Sequence, residues 1–381
     1  MMGSQLTLVA TAAQVYAVTH SSLWVGVLSG AQLPLLLAGS LWGGALGDHL
    51  DRRTLLSVTA IILALFSGAL ALNTTIFHAN IVALFVLAIF AAGVAGFANP
   101  ARNAAIPRLV KPDQLVAAYS INQIVIQIAT IVGPMLAGVL IGLASYAACY
   151  WIDAATFVIL CAATAAMGAL PPLHNAVRTS TLRAIGDGFR YVRGHSAAQC
   201  VYLVDLNAMI FGMPNALFPA VATHWYHGGS ITLGLLYAAP GVGALLGALT
   251  TGWVERVRRR GRAVVLAVVL WGGAIAVFGL SKYAWLGLLF LAVAGWADVI
   301  SAVLRNTILQ SSITDEFRGR LSSIQMAVVQ GGPRLGNLEA GAVATAVSTE
   351  FSIISGGILC VLGALALAGW RPQFWRESQE L

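Results

Sequence analysis

The chain has 381 residues and a formal net charge of +7, with 59% hydrophobic and only 9% charged residues and a mean hydropathy of +0.83. A soluble domain carries about 25% charge, so a chain of this composition folded in water would leave most of its surface apolar. Water-soluble classes are excluded, and the composition is that of an integral membrane protein.

A helix needs about 20 apolar residues to cross roughly 30 Å of hydrocarbon. Runs that qualify lie at 24–46, 55–72, 81–98, 115–143, 147–170, 198–223, 231–254, 263–280, 285–304, 321–347 and 353–370. Ahead of them, residues 4–18 ("SQLTLVATAAQVYAV") are apolar but short. They lack the basic n-region and small-x-small cleavage site of a signal peptide. The reading is a first transmembrane helix whose opening turns are missing. With it the spans number twelve, an even count that puts both termini on one side.

The connections fix which side. Arg52 and Arg53 fall in one set of alternate loops, followed by Arg102, Arg108 and Lys111. Arg178, Arg183, Arg190 and Arg193 come next, then Arg256, Arg258, Arg259, Arg260 and Arg262. Arg305, Arg318, Arg320, Arg371 and Arg376 complete a set of 19 of the 21 basic residues. Lys282 lies in an opposite loop and Arg334 inside a span. The positive-inside rule makes the arginine-rich face cytoplasmic, so the net charge reflects topology and not a nucleic-acid partner.

Displaced by 203 residues, 102–138 matches 305–341 at nine of 37 positions, among them Arg102/Arg305, Gln127/Gln330, Gly133/Gly336 and Gly138/Gly341. The division expected is a six-helix bundle over 1–170, a linker over 171–197, a second six-helix bundle over 198–370 and a tail over 371–381. Parallel repeats of this kind build one large transporter fold, with its site near the midplane. Within the linker, "LRAIGDGFRYVR" (182–193) sets Leu182, Ile185, Phe189 and Val192 near one face, which suits a helix lying on the membrane surface. Gly186 and Gly188 weaken that helix, and a solvated linker fits equally.

"GALGDHLDRR" (44–53) sets Asp48, Asp51, Arg52 and Arg53 between two spans, with Gly44 near the end of the first. It resembles the loop 2–3 signature of the major facilitator superfamily, G-x-x-x-D-(R/K)-x-G-R-(R/K), with His49 and Asp51 as departures. The D-R-R ending is similar to the enterobactin-exporter group of that superfamily, as are "DLNAMIFGMPNALFPAVA" (205–222), "TDEFRGRLSS" (314–323) and "GGPRLGNLEAG" (331–341). "ATIVGPMLAG" (129–138) resembles the fifth-helix antiporter motif. Gly133, Pro134 and Gly138 match it, while Ser120, Ala129 and Ala137 stand in place of glycines.

The resemblance implies an all-α membrane protein of two six-helix bundles, the first helix incomplete. It also implies that Asp48 latches a cytoplasmic gate, with Arg52 holding it. The alternative for the same charges is that they fix topology alone. Gly39, Gly43 and Gly47, and again Gly243 and Gly247, recur every four positions, as at close helix contacts.

Asp153, Asp205, Asp298, Arg334 and Glu339 fall within predicted spans. Each costs about 2.5–3.5 kcal/mol at the bilayer centre, so each should face a cavity or a partner. They are the residues on which proton coupling would run; structural pairing, with Arg334 neutralising an acid, is the competing reading. Asp298 precedes Arg305 by two turns on one face, which permits an ion pair. Many family antiporters carry an arginine in the fourth helix, and 84–98 has none, so that relay does not carry over. Pro214 and Pro219 interrupt the seventh span.

Cys149, Cys161, Cys200 and Cys360 show no paired spacing, and no nucleophile elbow, Walker loop or zinc helix is present. The expectation is a non-enzyme, a proton-coupled exporter of a siderophore or amphipathic drug-like compound working by alternating access. Its partners would be that small molecule, protons and the bilayer of the cell (inner) membrane. No nucleic acid, cofactor or metal is expected, and the assembly expected is a monomer. A non-transporting sensor or scaffold, or a truncated nonfunctional relative, is the alternative.

Overall fold

The computed structural model describes residues 1–47, 50–76, 79–168, 186, 190, 192–312 and 315–371. Among them every regular element is a helix. The long ones are α1 (Met2–Thr19), α2 (Ser22–Gly47), α3 (Arg52–Thr75), α4 (Ile81–Leu109), α5 (Leu115–Leu143) and α6 (Tyr146–Ala166). They continue with α7 (Ser196–Phe211), α8 (Gly229–Thr250), α9 (Arg260–Leu280), α10 (Ala284–Ser312), α11 (Asp315–Ala346) and α12 (Thr349–Trp370). Ten stretches among the described residues are long and apolar enough to cross a bilayer; α1 and α11 are not among them. α1 buries Thr11 and Gln14 along with Leu6, Val9 and Val15, so its polar side chains face protein while Leu8 and Val18 are exposed. α11 carries Gln325, Gln330, Arg334, Asn337 and Glu339. The proposed surface helix over 182–193, like the tail beyond Arg371, lies almost wholly outside the described residues.

Two spans run further than hydropathy implies. α4 continues to Leu109 and takes in Arg102 and Arg108; α10 continues to Ser312 and takes in Arg305. Apolar runs stop at a charge, whereas a helix continues wherever the charge finds a partner. Arg305 is only 5% exposed, so it belongs to the protein interior and not to a cytoplasmic loop.

The chain forms two compact units. One comprises Met1–His20, Leu28–Arg178 and Gly228–Leu235; the other comprises Ser21–Val27, Thr179–His227 and Leu236–Leu381. In the first, α1 packs on α5 and α6, and α3 packs on α4 and α6. In the second, α7 packs on α11 and α12, and α9 packs on α10 and α12. These are the same pairings six helices apart. Caps repeat as well: Ser145 Oγ accepts from Ala148 N at 3.3 Å to start α6, and Ser348 Oγ accepts from Phe351 N at 3.1 Å to start α12.

Glycines set the closest approaches. A Cβ on Gly39 or Gly96 would collide with the carbonyl of Gly93 or Leu36 between α2 and α4, and one on Gly243 or Gly295 with the carbonyl of Ala292 or Pro240 between α8 and α10. Helices that touch through backbone gain dispersion contacts over their length, which is the main attraction available where lipid is as apolar as the side chains.

The seventh span breaks after Phe211, as Pro214 and Pro219 predict. A 3-10 turn (Asn215–Leu217), one α-turn (Phe218–Ala220) and a π-turn (Val221–Trp225) follow. Broken backbone at membrane depth must find other partners. Trp271 Nε1 donates to the Gly212 carbonyl at 2.9 Å, Tyr237 Oη donates to the Asn215 carbonyl at 3.0 Å, and Ala216 N donates to Asn337 Oδ1 at 3.0 Å. Helices α9, α8 and α11 thus each clamp the break.

Candidate functional site

The second unit holds a buried charge cluster. Asp205 lies on α7, 3% exposed, and Arg305 on α10, 5% exposed. Arg305 Nη1 makes a close ion pair with Asp205 Oδ1, and its Nη2 lies 3.8 Å from Asp298 Oδ1, two turns earlier on α10. Contact with Asp205 is one of charge and not of aligned hydrogen bonding, since neither atom has a well-oriented hydrogen-bond partner. One guanidinium therefore serves two carboxylates. The pair with Asp205 ties α10 to α7, while the pair with Asp298 stays within α10. Arg102, the repeat counterpart of Arg305, instead donates from Nη2 to Asn99 Oδ1 at 3.2 Å.

Asp153 stands apart, in the first unit on α6. Its Oδ2 accepts from Thr7 Oγ1 at 2.7 Å and from Ser67 Oγ at 2.8 Å, joining α1 and α3 to α6. Its Oδ1, which faces Gly3, has no hydrogen-bond partner. Beyond it Tyr150 Oη donates to Gln14 Oε1 at 2.7 Å, and Gln14 Nε2 donates to Thr74 Oγ1 at 2.9 Å. Sequence alone singled out Asp153 but not these hydroxyl partners, whose only signal is their polarity inside apolar spans.

Arg334 and Glu339 both lie half-buried on α11. They are five residues apart, about 140° around the helix, and no ion pair joins them. Nη1 of Arg334 donates to the Gln330 carbonyl of its own helix at 2.9 Å. The expectation that Arg334 neutralises an acid is not met among the described residues.

In the "GALGDHLDRR" motif, Asp48 and His49 lie outside the described residues. Gly44 sits in the last turns of α2 with open space where a Cβ would be. Asp51 caps α3, its Oδ1 accepting from Arg53 N at 2.9 Å, which gives a reason for aspartate where the family has glycine. Arg52, 7% exposed, donates from Nη1 to the Ala104 carbonyl of α4 at 3.2 Å. Nη2 of Arg53 donates to the Ala165 carbonyl, one residue from the end of α6, where unpaired carbonyls and the helix dipole both favour a cation. Asp51→Ala should therefore cost about 1 kcal/mol through the lost cap, read as a lowered unfolding midpoint of the purified protein.

Gly133, Pro134 and Gly138 are buried on α5. A Cβ on Gly133 would come within 2.5 Å of Gln5 Cβ on α1, and one on Gly138 within 2.5 Å of the Ser230 carbonyl at the start of α8. Their repeat partners behave alike: Gly336 faces the Met209 carbonyl on α7, and Gly341 faces the Ser22 carbonyl at the start of α2.

Residues 1–379 match a family described as transmembrane secretion effector. Curated relatives include enterobactin exporter EntS of Citrobacter koseri, 28% identical over 361 residues, covering 93% of this chain and 86% of the relative. EntS of Escherichia coli O81 is 27% identical over 370 residues, covering 95% and 88%. Among solved structures, a peptide transporter POT superposes with a TM-score of 0.79 at 12% identity, covering 99% of this chain and 94% of that one. A bacterial homologue of the human lysosomal transporter Spinster, inward-facing and unoccupied, gives 0.76 at 14% identity, covering 99% and 97%. Those structural likenesses establish the fold of transporters. The chain is a multi-pass membrane transporter and belongs to the transmembrane secretion effector family of the major facilitator superfamily.

Proposed function

We propose that this chain is a proton-driven exporter of the inner membrane, working as a monomer with both termini in the cytoplasm and exposing its cargo to one face and then the other. The names of its relatives support a siderophore or similar amphipathic compound as cargo. The observation that carries the proton reading is Arg305 held between Asp205 and Asp298. A proton on Asp205 cancels the charge that ties α10 to α7, and the guanidinium is then held by Asp298 on its own helix. One proton thus converts a bond between helices into a bond within one, a change in packing that a gradient can drive. A buried pair suits this use, because removing either charge without compensation is far more costly than at a surface.

Everted vesicles test the reading. Uptake of a siderophore or dye should depend on an imposed proton gradient and stop when an ionophore collapses it; equal uptake with the gradient collapsed removes proton coupling. Asp153, held by hydroxyls and near enough to the Met1 ammonium to feel its charge, is assigned a structural role in this scheme. Asp153→Asn should keep gradient-driven uptake, and loss of uptake in a folded variant would move the proton site to α6.

A further inference from the structure

One half-buried charge of the second unit has no part in the proton scheme. Asp205 and Asp298 share Arg305, but Arg334 is left over. It lies twelve residues before the end of α11, about 18 Å from that end, so it sits deep in the span. Its described hydrogen bond goes to the Gln330 carbonyl of its own helix, and its Nε is buried with no partner. No carboxylate pairs with it among the described residues.

Position adds direction. Gly332 and Gly336 of α11 face Met209 and Ile210 of α7. At 100° per residue, Arg334 points away from that contact and falls on a stripe with Gln330, Asn337 and Gly341. Gly341 meets the Ser22 carbonyl, the Asn337 carbonyl meets Gly26, and Asn337 Oδ1 takes the Ala216 N–H of the break after α7. Arg334 is the next turn of the same stripe, half-exposed beyond those contacts. A guanidinium at membrane depth that no described carboxylate pairs with, on a stripe of hydrogen-bonding side chains, is a fork that a carboxylate fits with two parallel bonds.

We infer that Arg334 recognises the cargo, and that the cargo is an organic acid carrying a carboxylate. The inference rests on the export reading above and narrows its substrate class. Arginine at this site supplies orientation as well as charge, so lysine is a poor replacement.

A diethylaminocoumarin carboxylate and its carboxamide, fluorescent and identical but for the charge, test this by equilibrium binding to the purified full-length protein in nanodiscs. Wild type should bind the acid about tenfold more tightly than the amide, the scale of one charge-assisted contact. Arg334→Gln should bind both at the affinity wild type has for the amide, and retained amide binding shows that the variant is folded. Should that variant unfold, Arg334→Lys decides: its acid preference should fall to a few-fold. A wild type that does not prefer the acid, or a variant of either kind that keeps the full preference, overturns the inference. Binding and transport fail separately. Acid preference without gradient-driven uptake removes the export reading and leaves Arg334 its role, while gradient-driven uptake of acid and amide alike removes the role and leaves export.

Discussion

Asp205→Asn should abolish gradient-driven uptake in everted vesicles, reducing it to the level seen with the gradient collapsed, while the protein still folds and binds cargo. The expectation follows from the two-to-one stoichiometry of the cluster. Removing one partner of a buried ion pair costs about 3–5 kcal/mol when the other charge is left alone. Here Arg305 keeps Asp298 at 3.8 Å, so the guanidinium is not abandoned and the single variant is held together. Removing both acids is different. Asp205→Asn with Asp298→Asn leaves Arg305 buried and uncompensated, and that double variant should fail to yield folded protein. Adding Arg305→Gln to those two changes removes all three charges together, and that triple variant should recover the stability lost by the double one without recovering uptake. That split separates a coupling role from a structural one, because a merely structural pair would regain transport along with stability. Full gradient-driven uptake by Asp205→Asn would end the scheme.

Much of this arrangement was legible in the residues. Twelve apolar segments, an arginine bias and the match of 102–138 to 305–341 imply two alike halves, and the structure shows why those positions match: Gly133 and Gly336 let α5 and α11 approach α1 and α7, while Gly138 and Gly341 receive the starts of α8 and α2. Two turns between Asp298 and Arg305 foretold a pair within α10. Asp205 as the closer partner was not foreseeable, since its contact spans 100 residues of sequence, and hydropathy had already assigned Arg305 to a loop. Periodicity reports which side chains share a helix face; it carries no record of which helix that face meets. The clamps on the break after Phe211 show the same limit. Pro214 and Pro219 announce a break, but that Trp271, Tyr237 and Asn337 supply its missing hydrogen bonds depends wholly on tertiary packing.

Gly243→Leu should prevent folding, whereas Gly273→Leu should be tolerated. Both glycines lie inside spans of similar apolar character, on α8 and α9, so hydropathy does not distinguish them. Their surroundings do. A Cβ on Gly243 would overlap the Ala292 carbonyl oxygen, with the carbonyl carbon and Cα of Ala292 directly behind it, while Gly273 has open space in the same direction. The obstacle at Gly243 is backbone of another helix and not the end of a flexible side chain, so relief requires α8 and α10 to separate. Gly295 meets Pro240 reciprocally from the other helix, and a separation sufficient for one side chain forfeits close contact along both. Overpacking of this kind costs about 3 kcal/mol where a core must shift, and more is lost as the paired faces part. Size-exclusion profiles and thermal unfolding of the two detergent-purified variants make the comparison: Gly243→Leu should run as aggregate, and Gly273→Leu should match wild type. Monodisperse Gly243→Leu of wild-type stability would mean that α8 and α10 do not meet through these glycines.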